Sequence, residues 1–157
     1  MLNWTSQNLK QTKSSSPAHI LTKTTIMSDN SSSSSNEELL LSSVQEASSK
    51  WKAAFNSGDA AGCAAQYESN AVMVAKPFGT FTGTDEIQGF WQKLIDDGFA
   101  NVEYIAPTQL KPIDDESAIL SSNWTMNKAK GVITKELWVL QDDGSAKLKE
   151  DHFEALA

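Results

Sequence analysis

The spacing of apolar residues changes once along this chain, and that change limits the fold more than any other feature. Leu40, Val44, Ala47, Trp51 and Phe55 recur at intervals of four, three, four and four, which marks one face of a helix and predicts it over residues 37–56. Ser35 and Glu38 supply a capping box at its start, and Gly58 a stop. Asp59 is placed to cap a second, short helix in DAAGCAAQYE. AVMVAK reads as a strand, and PFGTFTGT as a turn, a short strand and a second turn. Thr84 then caps a third helix, with Ile87, Phe90, Trp91, Leu94 and Ile95 on one stripe and Gly98 at its end. Beyond this point the period falls to two. NVEYIAPTQLKP is a strand interrupted by Pro107, which suits a bulge or an edge. AILSSNWTMN, GVITKELWVL and AKLKEDHFEAL continue as an antiparallel meander. Helices followed by strands specify an α+β domain. Three helices against one face of a strongly curved antiparallel sheet enclose a cone-shaped cavity.

The first 36 residues are rich in Ser, Thr and Asn and too poor in apolar groups to offset ordering entropy, so a disordered tail is expected over 1–36 and the folded domain over 37–157. Residues 1–28 carry three lysines and no acid, a faint likeness to an organelle transit peptide that lacks the usual arginines. A cytoplasmic protein is expected, with Met27 an alternative natural start. The net charge is −7, and all thirteen basic residues are lysine, so neither a phosphate-neutralising stripe nor bidentate arginine recognition is available and nucleic acid is excluded as a partner. No apolar run reaches the length of a membrane span, and the acidic domain disfavours anionic membrane surfaces. The single cysteine, Cys63, has no internal disulfide partner and sits among alanines like a small core residue.

The stretch VMVAKPFG, Val72 to Gly79, places a lysine on the same side of a strand as two valines. Alternation groups Val72, Val74 and Lys76; Ser122, Trp124 and Met126; Val132, Thr134, Glu136, Trp138 and Leu140; and Lys149, Asp151 and Phe153. If these sets face the helices, they form an aromatic cup holding one amine and two acids. Lys76, Glu136 and Asp151 are the candidate catalytic residues, Lys76 pairing with one acid and orienting a ligand carbonyl or carboxylate while a carboxylate acts as base. Trp51, Val74, Trp124, Trp138 and Phe153 are the candidate ligand-binding residues. Two bland alternatives stand beside these roles: a Lys76 head reaching into water, and Glu136 facing solvent if its strand is shifted by one. His152, the one domain histidine, falls on the opposite side from Asp151. One His and one Cys do not make a usual zinc site, no G-x-S-x-G elbow is present, and the DDES and QDDG stretches are turns, so no metal or other cofactor is expected.

WKAAFNSGDAAGCAAQYESNAVMVAKPFGTFTGTDEIQGFW resembles the opening of the NTF2-like superfamily, and within it the SnoaL-like, ketosteroid-isomerase-like and DUF4440 group. The shared features are the Phe55-Asn56-x-Gly58-Asp59 helix end, Tyr67 before the first long strand, and Gly83 leading into a helix with Ile87. TKELWVLQDDGSAKLKEDHFEAL resembles the closing hairpin, with Trp138 and the Asp151-His152 pair. The resemblance spans residues 38–156 and implies a cone fold, a homodimer formed through the outer sheet face, and a small, mostly apolar organic ligand, with isomerase- or lyase-like proton transfer as the activity. By the same resemblance the isomerase base position falls on Lys76, its tyrosine on Trp51 and its second acid on Glu136. An ammonium cannot abstract a proton until it has lost its own, so steroid isomerisation proper is not expected. The alternative function is a non-catalytic association module like that of calmodulin-dependent kinases, which the resemblance also embraces.

Overall fold

The computed structural model describes residues 28–156. By its contacts the chain divides into two units, Met1–Asn36 and Glu37–Ala157, and the second holds the sheet and the site. The expected disorder of residues 1–27 lies outside the described residues.

Helix α1 runs over Ser28–Asn56, starting well before the expected Glu37. Once its amphipathic part is anchored, each residue added at the N-terminal end gains a backbone hydrogen bond, and serine opposes this only weakly. Its inner face carries the predicted stripe, with Leu40, Val44 and Phe55 wholly buried. Asp59 caps helix α2 (Ala60–Ala64), its carboxylate accepting the Gly62 N–H at 2.9 Å. The chain then passes directly into β1 (Tyr67–Lys76), which takes up the Tyr67 and Glu68 that the sequence assigns to the helix. Strand β2 (Gly79–Thr82) precedes helix α3 (Thr84–Asp96). Gly83, not Thr84, occupies the N-cap of α3, and no side chain caps it. Glu86 folds back to accept the Thr82 N–H instead.

Four longer strands follow: β3 (Glu103–Pro112), β4 (Ser117–Thr125), β5 (Lys130–Leu140) and β6 (Ala146–Leu156). They complete one six-stranded sheet in the order β2-β1-β6-β5-β4-β3. The expected meander is present, but the sheet is mixed, because β1 lies parallel to β6. Local alternation carries no information about this pairing, since the two strands are joined through the whole of the intervening chain. Four of the five strand pairs contain a register shift, and such bulges bend and twist a sheet. The result is the α+β cone expected from the sequence, with β3 on an edge and its irregularity around Pro107.

The bulges also reverse the facing of short segments. On β5 the shift between Ile133 and Lys135 puts Gly131 and Ile133 on the inner face with Glu136 and Trp138, so Val132 and Thr134 leave the cup where parity places them. On β6, Leu137 pairs with Glu150 and Trp138 with Leu148, which leaves Lys149 extra and exposed, while Asp151 and Phe153 stay inside. On β1 the inner residues are Ala71, Met73 and Ala75, and Val72, Val74 and Lys76 take the other side. The run AVMVA is apolar on both faces, so alternation alone does not choose between them.

Gly131 shows how tightly the inner face is built. It lies opposite Trp124, and a Cβ added there would meet the Glu154 carbonyl and the Trp124 ring well inside 3.0 Å. The glycine leaves the space that this indole occupies. Gly131→Ala is expected to cost about 1–3 kcal/mol as an overpacking change and to displace Trp124, read as a lower urea midpoint with an altered tryptophan emission.

A carboxyl pair in an aromatic cone

Four elements meet at the inner end of the cone. Helix α1 contributes Trp51, helix α3 Trp91, strand β4 Trp124 and strand β6 Phe153. Trp51 stacks on Phe55 with ring centroids 5.5 Å apart and meets Trp91 edge-on at 4.9 Å. Trp91 in turn stacks on Phe153 at 5.6 Å. These rings, with Val102, Tyr104, Met126 and Ile133, surround a cavity of about 30 Å³, room for a water or two. Two charged residues share its wall: Glu136 and Asp151, each 4% exposed.

Glu136 on β5 and Asp151 on β6 are direct cross-strand partners. Partners on one face hold their Cβ atoms about 4.5–5.5 Å apart, and two like charges so placed repel. Burial also penalises the ionised form of each. Desolvation, then the Asp151 charge, pushes the Glu136 carboxyl up to about 8. Desolvation pushes Asp151 up to about 6, opposed by the Tyr67 hydrogen bond and the nearby His152 charge. The two steps belong to the pair. Near neutral pH the pair keeps one proton and one negative charge.

Burial leaves Asp151, at about 6, the first of the two to ionise and Glu136, at about 8, the second, and the hydrogen bonds show how each is held. Trp91 Nε1–H donates to the Tyr67 oxygen at 3.2 Å. An indole N–H only donates, so Tyr67 is free to direct its own proton at Asp151 Oδ2, 2.6 Å away. Asp151 is thus the acceptor at the end of a one-way chain, and its Oδ1 has no hydrogen-bond partner among the described residues. Glu136 is held at both oxygens, with Trp138 Nε1–H donating to Oε1 at 2.9 Å and the Tyr104 hydroxyl lying 3.0 Å from Oε2. Burial beside these acids raises both tyrosines well above the ordinary phenol value, so they remain neutral.

Lys76 is not part of this site. It is exposed at the end of β1, away from the cavity, and neither acid takes part in any salt bridge of the described residues. The amine nearest in electrostatic terms is Lys52, 7% exposed, whose Nζ lies 4.2 Å from the centre of the Tyr104 ring. Burial lowers its pKa and the Glu136 charge works against that. Val74 also falls outside the cavity lining, and Trp138 stands behind Glu136 as its donor instead of facing the cavity. Trp51, Trp124 and Phe153 do line it. Lys52, Tyr67 and Tyr104 do not stand out as site residues in the sequence; a lysine next to Trp51 on an otherwise apolar helix face is the one signal present for Lys52. His152 is half-buried, 3.1 Å from Glu150, in a cluster with Lys135. Among the described residues no group of His, Cys, Asp or Glu is arranged to hold a metal, and no helix is long and apolar enough to cross a membrane.

No family model and no curated protein sequence matches the chain. Solved structures do. A candidate scytalone dehydratase from Novosphingobium aromaticivorans aligns with a TM-score of 0.66 at 12% identity, over 79% of this chain and 89% of that one. A ketosteroid isomerase-like protein from Erwinia carotovora atroseptica aligns with a TM-score of 0.63 at 15% identity, over 74% and 96%. A candidate calcium/calmodulin-dependent protein kinase II association domain from Xanthomonas campestris aligns with a TM-score of 0.62 at 15% identity, over 72% and 85%. At these identities the likeness establishes the fold: the chain has the NTF2-like, cystatin-like architecture that its sequence resembles. Its neighbours span isomerase-like, dehydratase-like and association-domain proteins, so chemistry has to be argued from the site.

Proposed function

We propose that the cone binds a small, neutral, mostly apolar carbonyl compound and moves a proton at the carbon next to its carbonyl group. Asp151 is the base, and protonated Glu136 keeps the pair's single charge on Asp151. The observation that carries this reading is the asymmetry of the buried pair: Glu136 has both oxygens occupied, whereas Asp151 has one oxygen tied to Tyr67 and the other open. A carboxylate whose pKa is raised towards neutrality is matched to proton transfer at carbon. In the step, Asp151 Oδ1 takes the α-proton, the C–H electron pair moves to form the enolate, and charge passes to the carbonyl oxygen. Return of the proton to the same carbon gives exchange. In an unsaturated ketone, return two carbons further on gives isomerisation. Nothing is oxidised or reduced.

The cavity is smaller than such a ligand, so binding requires side chains to move aside. Met126, half-buried on the wall with three rotatable bonds, is the most compliant lining residue. Incubation with cyclohexanone in deuterated buffer is expected to incorporate deuterium at the α-carbons faster than buffer alone, followed by NMR; a rate equal to buffer contradicts the proposal. The small cavity also favours a second reading, a non-catalytic association module whose cone is merely core. Native mass spectrometry separates the two, since a dimer retaining a small molecule fits the first and larger rings carrying nothing fit the second.

A further inference from the structure

A ligand has to part some of the side chains around the cavity to reach Asp151, and the two sides of the cone are held differently. On the β3 side, next to the wall residues Val102 and Met126, side chains tie down the connection from α3 to β3. Asn127 accepts the Ala100 N–H and donates to the Gly98 carbonyl, both at 2.9 Å, and Lys128 Nζ donates to the Asp97 carbonyl at 2.9 Å. Asn56 accepts the Val102 N–H at 2.7 Å and donates to the Val102 carbonyl at 3.2 Å. On the β2 side the closure is aromatic. The ring of Phe153, which lines the cavity, lies 6.2 Å from that of Phe90 on α3, and Phe90 meets Phe81 at 4.8 Å and Phe78 at 5.7 Å. Phe78 is 54% exposed, so this series of rings runs from the cavity wall to solvent.

The sheet beneath the series is made of small residues. Ala75 pairs with Gly79 on β2 and with Phe153 on β6, so a hydrogen and a methyl group are all that the sheet places between its edge and Phe153. Ala75 is wholly buried all the same. The rings that bridge from Phe153 to the edge are those of Phe90 and Phe78. The strand that carries Phe81, and follows Phe78, is short. β2 has four residues and pairs only with β1; it begins at Gly79 and ends before Gly83, both with positive φ. Its Gly83 end is anchored, the Gly83 N–H donating to the Ala71 carbonyl at 2.8 Å and the Thr82 N–H to Glu86 at 2.9 Å. At its Phe78 end no side-chain hydrogen bond among the described residues holds it.

We infer that carbonyl ligands enter between β2 and α3, over Gly79 and Ala75, and that Phe90 is the residue that limits their size. Phe78 lifts with the free end of β2, and the Phe90 ring turns off the small residues beneath it. This movement separates ring contacts and at most the Gly79 end of a short edge strand, whereas opening the β3 side breaks the hydrogen bonds of Asn56, Asn127 and Lys128 together. A ligand passing this way takes the space of one phenyl ring, so flat monocyclic compounds pass and globular bicyclic ones are held back. The inference rests on the proposed function and deepens it by adding a size limit to the neutral carbonyl class.

The test follows entry of cyclohexanone and of camphor, a globular bicyclic ketone, in the whole chain labelled at its methionine methyl groups. The chain has four methionines, and Met126→Leu assigns the signal of the one on the cavity wall by its disappearance. Exchange broadening of the Met126 signal gives the entry rate of each ketone. Phe90→Ala is expected to raise the camphor rate relative to cyclohexanone by roughly tenfold or more, the scale on which an apolar site discriminates by size. Phe78→Ala, at an exposed ring that the fold does not depend on, is expected to speed both ketones and decides the matter if Phe90→Ala fails to fold. Asn127→Ala, which loosens the β3 side, is expected to leave both rates unchanged. Rates that ignore Phe90 and Phe78, or that rise more with Asn127→Ala, overturn the inference. The two proposals fail separately. Met126 shifts that depend on Phe90, without α-deuterium exchange, leave the entry route standing and remove the base, whereas exchange with entry rates indifferent to Phe90 and Phe78 does the reverse. A Met126 signal that no ketone moves, in the wild type or in either Phe→Ala variant, overturns both.

Discussion

Asp151→Asn is expected to cut α-proton exchange in cyclohexanone by about 10²–10⁴, the usual contribution of a positioned general base, and to stabilise the protein at alkaline pH. Both effects have one origin. Asp151 is a carboxylate kept where carboxylates are unfavourable, 4% exposed and directly opposite another acid. The amide retains the shape and an oxygen for the Tyr67 hydroxyl, but carries neither the charge nor the basicity. An activity loss joined to a stability gain marks a group retained for its chemistry. A residue holding the fold would lose both together. Measuring deuterium incorporation and the urea midpoint on the same variant at pH 9 distinguishes the two.

The second large effect concerns pH. Glu136 and Asp151 both have folded-state pKa values above their ordinary ones, raised chiefly by burial. Such groups contribute stability that is fully present below their unfolded pKa and is lost as pH rises through the folded value. The window runs from the ordinary carboxyl values of 3.8 and 4.5 up to about 6 for Asp151 and about 8 for Glu136. The protein should therefore be more stable at pH 5 than at pH 9, the reverse of a fold whose carboxylates are ion-paired. Glu136→Gln should flatten most of this slope. At pH 9 it should recover several kcal/mol, since a tenfold change in proton affinity between the folded and unfolded states corresponds to about 1.4 kcal/mol. Urea midpoints at pH 5, 7 and 9 for the wild type and the variant check both statements. The Glu150 carboxyl on the outer face, pulled down by its hydrogen bonds from Lys135 and His152, adds a slope of opposite sign and smaller size.

The architecture was legible because it follows from periods. The stripe from Leu40 to Phe55 and the alternation of the last three strands needed only local spacing to read. The mixed character of the sheet was not, because β1 meets β6 across nearly the whole domain. At the site, parity leads to Glu136, Asp151, Trp124 and Phe153, all of which line the cavity. It also leads to Lys76 and Val74, which do not, because AVMVA offers a hydrophobic face on either side and the strand turns Ala71, Met73 and Ala75 inward, beneath the helices. Val132, Thr134 and Lys149 are misplaced for a different reason: a bulge adds one residue and inverts every facing beyond it. Lys52 is hidden by its neighbours. Beside Trp51 and Phe55 it reads as the edge of a helix stripe, and only the packed structure shows its amine over the Tyr104 ring near Glu136.

The proposed chemistry depends on two facing acids in the cone sharing a proton near neutral pH. Carbon-13 labelling of the Asp and Glu carboxyl groups, with chemical shifts followed from pH 3 to pH 10, tests this directly. The result expected is one aspartate, removed by Asp151→Asn, and one glutamate, removed by Glu136→Gln, that ionise well above their ordinary range, with the aspartate first. If both instead titrate near 4 alongside the surface carboxyls, the cone holds an ordinary pair of solvated charges, and the base assigned to Asp151 is wrong.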